Sequence, residues 1–300
     1  MASSPQSLIV NGVLEDADLS GASLAGTGFQ TIKFRKVNFR GTDLSGADFS
    51  QAQFDDCDLS GANLNEAQFI GATINNTNVA GANLSKANLT TTSVIKSDLS
   101  QANLAESDCS ASLFDNCILD NTVFEKADLS TARMNVCSLS GTSFKESDLS
   151  RWMVMETDLS AVVFGKNNLS QAMLMNANLS GQQFPECDLT LTLFIEANLQ
   201  GANFSGASMS QTQFSMSVLK GANLSNIKAE NTSFAAADLT AADLSGSSSI
   251  DEASFRNATI KLCNLHKLSE EKTIWDGANF NDTFRTDPIR EKAENWQPPA

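Results

Sequence analysis

The chain has 300 residues, with 20 Lys and Arg against 35 Asp and Glu, so its formal net charge is −15 at pH 7. Phosphate contacts require clustered basic side chains, so this balance predicts no direct binding of nucleic acid. The single histidine, His266, excludes Ser-His-Asp and Cys-His catalytic sets and multi-histidine metal sites. The sequence also lacks a Gly-Lys-Ser/Thr phosphate loop and a dinucleotide-binding Gly-x-Gly-x-x-Gly. We therefore expect a non-enzymatic protein without a cofactor or a metal.

The first predicted element is a short N-terminal cap, residues 1–13, which would protect the first strand edge from pairing with another chain. Its beginning lacks the charged and apolar regions of a signal peptide, and the sequence contains no run of about 20 apolar residues that could span a membrane. We expect a cytoplasmic protein. Export by a specialised secretion apparatus would need no such signal and stays open as an alternative.

Residues 14–244 repeat every five residues without an insertion or a deletion. The central position, from Leu14 to Leu244, is large and apolar throughout, with Ala229 as the one exception. Two residues before each central position lies a small residue, nearly always Ala, Ser, Thr or Cys. This period fits neither the alternation of a strand nor the stripe of about 3.6 residues of a helix. The chain must instead return to one environment every five residues, with two side chains pointing inward and three outward.

The motif Ala-Asp-Leu-Ser-Gly at residues 17–21, with variants such as Ala-Asn-Leu-Asn-Glu at 62–66, resembles the pentapeptide-repeat family. The resemblance covers residues 9 to about 280. It implies an all-β fold, a right-handed parallel β-helix with four sides, four pentapeptides per coil and about 12 coils before an irregular C-terminal end. The sequence itself supports a coil of 20 residues, because phenylalanines recur at that spacing and would stack as one internal column: Phe124, Phe144, Phe164, Phe184 and Phe204.

The C-terminal part departs from the strict repeat. The stretch from Ser245 to Ser249 adds one residue, and the apolar series resumes at Ile250. We predict register-shifted terminal coils over residues 245–284, with a loop at 266–273, where Glu270 occupies a position that should be apolar. His266, in this irregular turn, is expected at the surface. Residues 285–300 are predicted to be a polar, solvated tail.

All six cysteines occupy inward positions. Cys117 and Cys137 lie one coil apart, so their Cα atoms should be about 4.8 Å apart, within disulfide range. Cysteine is also an ordinary small core residue, and a reducing compartment keeps thiols free. We expect reduced, structural cysteines.

The negative charge is concentrated in residues 43–158, which hold 17 acids and 6 bases. Asp108, Asp128 and Asp148 occupy equivalent positions on successive coils and would form an acidic ladder. Some pentapeptide-repeat proteins, the gyrase-protecting quinolone-resistance group, present an acidic rod that imitates DNA, so the resemblance implies a type II topoisomerase as an alternative partner. The repeat's own preference for Asp or Asn before the central residue also explains the ladder. The C-terminal tail here lacks the apolar dimerisation helix of that group.

One of the four faces carries apolar residues at outward positions, where the repeat would place Asp, Asn or Ser. Trp152 belongs to this face and occupies a small-residue position, where an indole should not fit inside, so we expect it to bulge at the corner. A contiguous apolar patch on a soluble protein usually marks an interface, and methionine suits an adaptable binding surface. The predicted partner-binding residues are Ile95, Leu113, Val136, Trp152, Met153, Met155, Met173, Met175, Leu193, Ile195 and Met216.

These observations predict a scaffold that binds a protein partner, or a second copy of itself, through the apolar face. The covering of this face by the protein's own tail, with Trp296, is the structural alternative. Two other functions remain open: an acidic DNA mimic that binds a topoisomerase, and an accessory or effector protein of a secretion system, which rests on the family resemblance alone.

Overall fold

The computed structural model describes residues 9–154, 157–246 and 249–286. The chain divides into two compact units, Met1–Asn168 and Leu169–Ala300, which we call unit 1 and unit 2. The described residues form short strands, isolated bridges and turns, and contain no helix. It follows that no helix among them could cross a membrane. Residues 1–8 of the predicted cap and residues 287–300 of the predicted tail lie outside the described part of the chain.

Unit 1 is a parallel β-solenoid in which one coil takes 20 residues. Along one face, seven strands pair in sequence order, with Leu14, for example, opposite Phe34 in perfect 20-residue register. The other faces are joined by isolated parallel bridges with the same spacing, such as Asp18 to Asn38 and Ser23 to Asp43. The predicted right-handed, four-sided parallel β-helix is confirmed. The strands are β1 Val13–Glu15, β2 Lys33–Arg35, β3 Gln53–Asp55, β4 Thr73–Asn75, β5 Ser93–Ile95, β6 Leu113–Asp115 and β7 Arg133–Asn135.

The central residues of the repeat fill the interior of each unit. The ring of Phe144 stacks on Phe124 with centroids 5.4 Å apart and on Phe164 at 6.0 Å. In unit 2, Phe184 and Phe204 stack at 5.1 Å. The predicted column of phenylalanines is therefore present within each unit, and offset ring pairs of this kind add to the stabilisation that comes from burial alone.

The small-residue position accepts hydroxyl side chains because the neighbouring backbone satisfies them. The hydroxyl of Thr42 donates to the carbonyl oxygen of Leu19 at 2.8 Å, and Thr92 donates in the same way to Phe69 at 2.7 Å. Both threonines are fully buried. A buried hydroxyl without a partner would cost free energy, so this recurrent bond explains why threonine alternates with alanine at the position.

The corners are tight turns that join adjacent faces of the coil. The N–H of Ala22 donates to the carbonyl of Leu19 at 3.1 Å, and the residue between them, Gly21, has a φ of 64°. Turns of this type need a positive φ at their third residue, which glycine adopts without strain. The final Gly of the motif therefore reflects backbone geometry.

Unit 2 repeats this construction and changes register near its end. The bridge from Gln213 to Ser233 spans 20 residues, but the next one on the same face, Ser233 to Ser254, spans 21. One residue has therefore been added between these coils. Two short parallel strands follow, β8 Asn264–Leu265 and β9 Phe284–Arg285. Within this unit a continuous ring stack leads from Phe194 through Phe214, Phe234 and Phe255 to Trp275.

The irregular C-terminal turn differs from expectation at His266, which is 8% exposed and counts among the buried residues, so the prediction of a surface position is wrong. It follows Leu265 of β8 directly, and the backbone there is still part of the ladder, because Gly246 donates to the carbonyl of His266 at 2.8 Å. Glu270, which replaces an apolar central residue, is ion-paired with Arg285 at 3.0 Å.

Candidate functional site

In unit 1, the apolar residues predicted to bind a partner lie on or beside the face that carries β1–β7. On the other faces the residue before the centre is mostly Asp or Asn, and its side chain accepts a hydrogen bond from the N–H two residues later, as Asp98 does from Ser100 at 2.8 Å. On the β1–β7 face this position is never Asp or Asn, from Val13 to Arg133. The turn that ends this face also differs, because the N–H of Cys57 donates to the hydroxyl of Thr77 on the next coil, whereas the equivalent N–H of Ala62 donates to the carbonyl of Leu59. This face is therefore free of the repeat's usual requirement for an acid or amide.

In unit 1 the predicted apolar residues do not form an uninterrupted patch. Ile95, Leu113 and Met153 are half-buried, and Val136 is 75% exposed. The register places Ile95 opposite Asp115, and Arg133 separates Leu113 from Met153. Met155 lies outside the described residues. The apolar side chains of this unit are thus diluted by charged and polar neighbours on the same sheet.

Trp152 corrects one sequence expectation. Its side chain is fully buried, with its ring 5.2 Å from that of Phe144, so the predicted bulge at the corner is wrong and Trp152 offers no contact to a partner. The same coil is unusual elsewhere, because Val162 and Asn167 also replace small residues, and the amide of Asn167 donates to the carbonyl of Phe144 at 2.5 Å. Among the residues that the structure describes, the indole Nε1 of Trp152 has no hydrogen-bond partner.

In unit 2 the predicted residues lie close together. Met173 and Leu193 are directly opposite on adjacent coils, and Met175 and Ile195 follow two residues later on the same two coils. Met173 is 37% exposed and the other three are half-buried. Met216, on the next coil, is 53% exposed. We call the four residues Met173, Met175, Leu193 and Ile195 the Met-rich cluster.

The acidic ladder exists as a backbone register, because bridges join Asp108 to Asp128 and Asp128 to Asp148. Each carboxylate accepts a hydrogen bond from its own turn, as Asp108 does from the N–H of Ser110 at 2.9 Å. Burial alone would raise the pKa of Asp108, but the hydroxyl and N–H of Ser110 outweigh it and lower the pKa from its ordinary value. These carboxylates thus have a structural role at the corners.

A column of alternating charges was missed by the sequence reasoning. At one corner of unit 1, the charge of the exposed second residue of the turn alternates between negative and positive from coil to coil. The Nζ atom of Lys86 lies 4.0 Å from a carboxylate oxygen of Glu106, and that of Lys126 lies 4.0 Å from a carboxylate oxygen of Glu146. The signal was available, because these residues recur every 20 positions with alternating charge: Glu66, Lys86, Glu106, Lys126 and Glu146. Exposed pairs of this kind stabilise little, but they leave this corner nearly neutral. The negative charge of unit 1 is therefore unevenly distributed over its faces.

The cysteines are buried free thiols, as expected from the sequence. Burial raises the pKa of Cys57 to about 11 and that of Cys109 to about 12, so both are protonated and unreactive near neutrality. Over the described ranges, no group of three or more His, Cys, Asp or Glu side chains could hold a metal ion.

Two family models match the sequence. One, described as a pentapeptide repeat region, matches residues 47–124 and 127–204, and the other, described as pentapeptide repeats (8 copies), matches residues 13–51 and 217–248. Together they cover most of the repeat that the structure shows. No curated protein sequence matches the chain.

Three solved structures illustrate what the fold resembles. HetL, a pentapeptide repeat protein involved in heterocyst differentiation regulation in the cyanobacterium Nostoc, is 22% identical over 87% of each chain, with a TM-score of 0.19. Full-length QnrB1, a plasmid-mediated fluoroquinolone resistance protein, is 18% identical over 74% of this chain and 95% of its own, with a TM-score of 0.26. The A-module of the Azotobacter vinelandii mannuronan C-5 epimerase AlgE6 is 8% identical over 92% and 89%, with a TM-score of 0.42.

Such low identities and TM-scores carry no argument about function. The family models are sufficient for the assignment of the fold family, because the matched segments include more than half of the residues. The strand register and the buried central residues agree with them. The chain therefore belongs to the pentapeptide repeat family.

Proposed function

We propose that the protein is a non-enzymatic scaffold that binds a protein partner, or a second copy of itself, through the apolar face of its solenoid. The observation that supports this proposal is the Met-rich cluster of unit 2, in which four large apolar side chains lie on two adjacent coils and remain partly accessible. The repeat does not require apolar residues there, because the interior is already filled by central residues such as Leu174 and Phe194.

The physical properties of the cluster fit a protein-binding surface. Burying apolar surface contributes about 25 cal/mol per Å² before the costs of association, so even a patch of moderate size supports a measurable affinity. Methionine side chains can adapt to a partner because they are unbranched and polarisable. Leu191, at the adjoining corner and 41% exposed, extends the apolar surface by one residue. An interface of this composition should resist added salt.

The test is a double substitution, Met173→Ser with Leu193→Ser. Both side chains point outward, so folding should be retained, while self-association in sedimentation, or capture of a partner, should be lost. Capture by the unmodified protein should persist in about 0.5 M salt, where exposed charges are screened. Ile118→Ser with Val163→Ser is the matched control, because both residues are exposed and apolar but lie on other faces of unit 1.

Two results would contradict the proposal. A much lower melting temperature of the double variant would mean that the cluster is core covered by the protein's own chain. Unchanged oligomeric state and unchanged partners would mean that the cluster has no binding role.

A second candidate is an acidic DNA mimic that binds a type II topoisomerase such as gyrase. It is supported by the excess of acids in residues 43–158 and by the ladder of Asp108, Asp128 and Asp148. Its surface is polar, so binding would weaken with salt, in contrast to the Met-rich cluster. The direct test is inhibition of gyrase supercoiling by the purified protein, and absence of any effect on a topoisomerase panel would remove this candidate.

A further inference from the structure

Two thiols meet at the corner that follows β6 and β7. Cys117 and Cys137 occupy equivalent positions on consecutive coils, held in register by the pairing of Phe114 with Met134 and by the bridge from Ile118 to Ser138. Their side chains have equivalent surroundings, because the thiol of Cys117 donates to the carbonyl oxygen of Val94 at 3.3 Å and that of Cys137 to the carbonyl oxygen of Phe114 at 3.5 Å. The other described cysteines lack a thiol at the equivalent position of a neighbouring coil.

The second thiol of this pair is accessible from solvent. The turn after it is displaced by one residue, because Gly141 donates to the carbonyl of Ala161, whereas Asn121 on the preceding coil donates to Ser140, only 19 residues further along. This leaves a surface cavity of about 180 Å³ lined by Cys137, Ser138, Leu139, Ser140, Asp158 and Ala161. Cys137 is 9% exposed, whereas the other cysteines are at most 3% exposed. A small solute in this cavity can therefore reach the thiol of Cys137.

The backbone at the corner favours closer approach of the two residues. In-register coils are about 4.8 Å apart, and a disulfide needs Cβ atoms about 3.5–4.5 Å apart, so closure requires the two residues to approach by about 0.3–1.3 Å. Val136, directly before Cys137, has a φ of 52° and an exposed side chain. A β-branched residue is strained in this left-handed conformation. A small rotation of the backbone at Val136 would relieve this strain, and the exposed side chain of Val136 has no tight packing to oppose it.

We propose that Cys117 and Cys137 form a redox modification site, which a hydroperoxide that enters through the cavity oxidises to an intrachain disulfide. The proton shared by the pair moves to Cys117, and the thiolate of Cys137, which lines the cavity, attacks a peroxide oxygen. The O–O bond breaks, and a sulfenic acid on Cys137 and hydroxide result. The hydroxide takes the proton of Cys117 and becomes water. The new Cys117 thiolate then attacks the sulfenic sulfur of Cys137, the S–S bond forms, and the S–O bond breaks with loss of hydroxide. Two sulfurs are oxidised and one peroxide is reduced.

The two thiols influence each other electrostatically. The neighbouring thiol of Cys137 lowers the pKa of Cys117 despite burial. The neighbouring thiol of Cys117, together with burial, raises the pKa of Cys137. After its first ionisation the pair therefore shares one proton, and either sulfur can carry the thiolate.

The experiment treats the folded, full-length protein with hydrogen peroxide, blocks the remaining thiols, and digests it with trypsin. Cleavage after Lys96, Lys126, Arg133 and Lys145 separates residues 97–126, with Cys109 and Cys117, from residues 134–145, with Cys137. We expect a mass loss of about 2 Da and a covalent link between these two peptides, both reversed by dithiothreitol.

Alanine variants identify the sulfurs without disturbing the fold, because alanine is common at this position of the repeat. Cys117→Ala and Cys137→Ala should each abolish the cross-link, and a melting curve verifies that each variant is folded. Cys57→Ala, in the same column but without a neighbouring thiol, should leave it unchanged. The proposal is overturned if folded protein gives no cross-link, if Cys109 is the linked residue, or if the link appears only after unfolding.

Discussion

The burial of Trp152 leads to a specific prediction about stability. Its side chain is fully buried beside Phe144, at a position where most coils have a residue no larger than threonine. Replacing a buried tryptophan by alanine costs about 3–5 kcal/mol, because the lost contacts leave a cavity. For a unit of this size, such a loss lowers the melting temperature on the order of 10 °C. A tryptophan that bulged into solvent would cost far less, so Trp152→Ala distinguishes the two placements.

Trp152→Phe is the matched control. Phenylalanine keeps a ring against Phe144 and removes the indole N–H, which has no partner in the described part of the chain. An unsatisfied buried polar group costs about 1–3 kcal/mol, so its removal offsets much of the lost packing, and stability should change by less than about 1.5 kcal/mol. Thermal and denaturant unfolding followed by circular dichroism measure both variants. The difference in fluorescence between wild type and Trp152→Phe should be the blue-shifted emission of a buried indole. A change below about 1 kcal/mol in Trp152→Ala would refute the reasoning.

Three further predictions concern charge. The pKa values of Asp18 and Asp43 are lowered in the folded protein, chiefly by hydrogen bonds from the serine two residues later. Burial would raise the pKa of Asp238, but hydrogen bonds from Thr240 outweigh it and lower the pKa. The stabilisation from these three carboxylates is therefore present above the unfolded pKa and is lost as the pH falls below about 3.8, so the melting temperature should be flat near neutrality and drop in this acidic window. The triple change of Asp108, Asp128 and Asp148 to Asn should preserve the fold, since the amide oxygen can still accept the turn bond, and unfolding experiments would detect any failure. Alanine at Glu270, Arg285 or both should show a coupling free energy below about 1 kcal/mol in a double-mutant cycle, because both side chains are substantially exposed.

The fold is readable from the sequence because a five-residue period determines which way each side chain points. Leu14 and Phe34 have to be inward, and the 20-residue recurrence of phenylalanines is sufficient to identify the neighbouring coil. The period also locates the added residue before Ile250. The five-residue period does not show how far a single coil can widen to hold a larger side chain. The predicted exposure of Trp152 is therefore wrong. The neighbouring Val162 and Asn167 also exceed the usual size at their positions, and all three side chains are buried in a coil of unusual composition.

The candidate site is less readable, because exposure depends on neighbours in the adjacent coils. Met173 and Leu193 are direct neighbours, but Leu113 and Met153 are separated by Arg133. His266 was misjudged for a related reason. An irregular sequence predicts a surface turn, but the backbone ladder continues through this turn and the residue is buried. The binding role of the apolar face stays a prediction.

The hydrogen bonds of the corners explain why the β1–β7 face of unit 1 is the one where sequence can vary most freely. On the other faces the residue before the centre supplies an oxygen to the turn, as Asp43 does to Ser45, so replacing it by an apolar residue leaves an N–H without that partner. On the β1–β7 face the corresponding residues, such as Lys33 and Leu113, supply no such bond in the described structure and include basic, polar and apolar types. Selection for a partner could therefore change this face at little cost in stability. Many Asp residues of the other faces accept a hydrogen bond from the turn, which makes them weaker evidence for DNA mimicry than their number suggests.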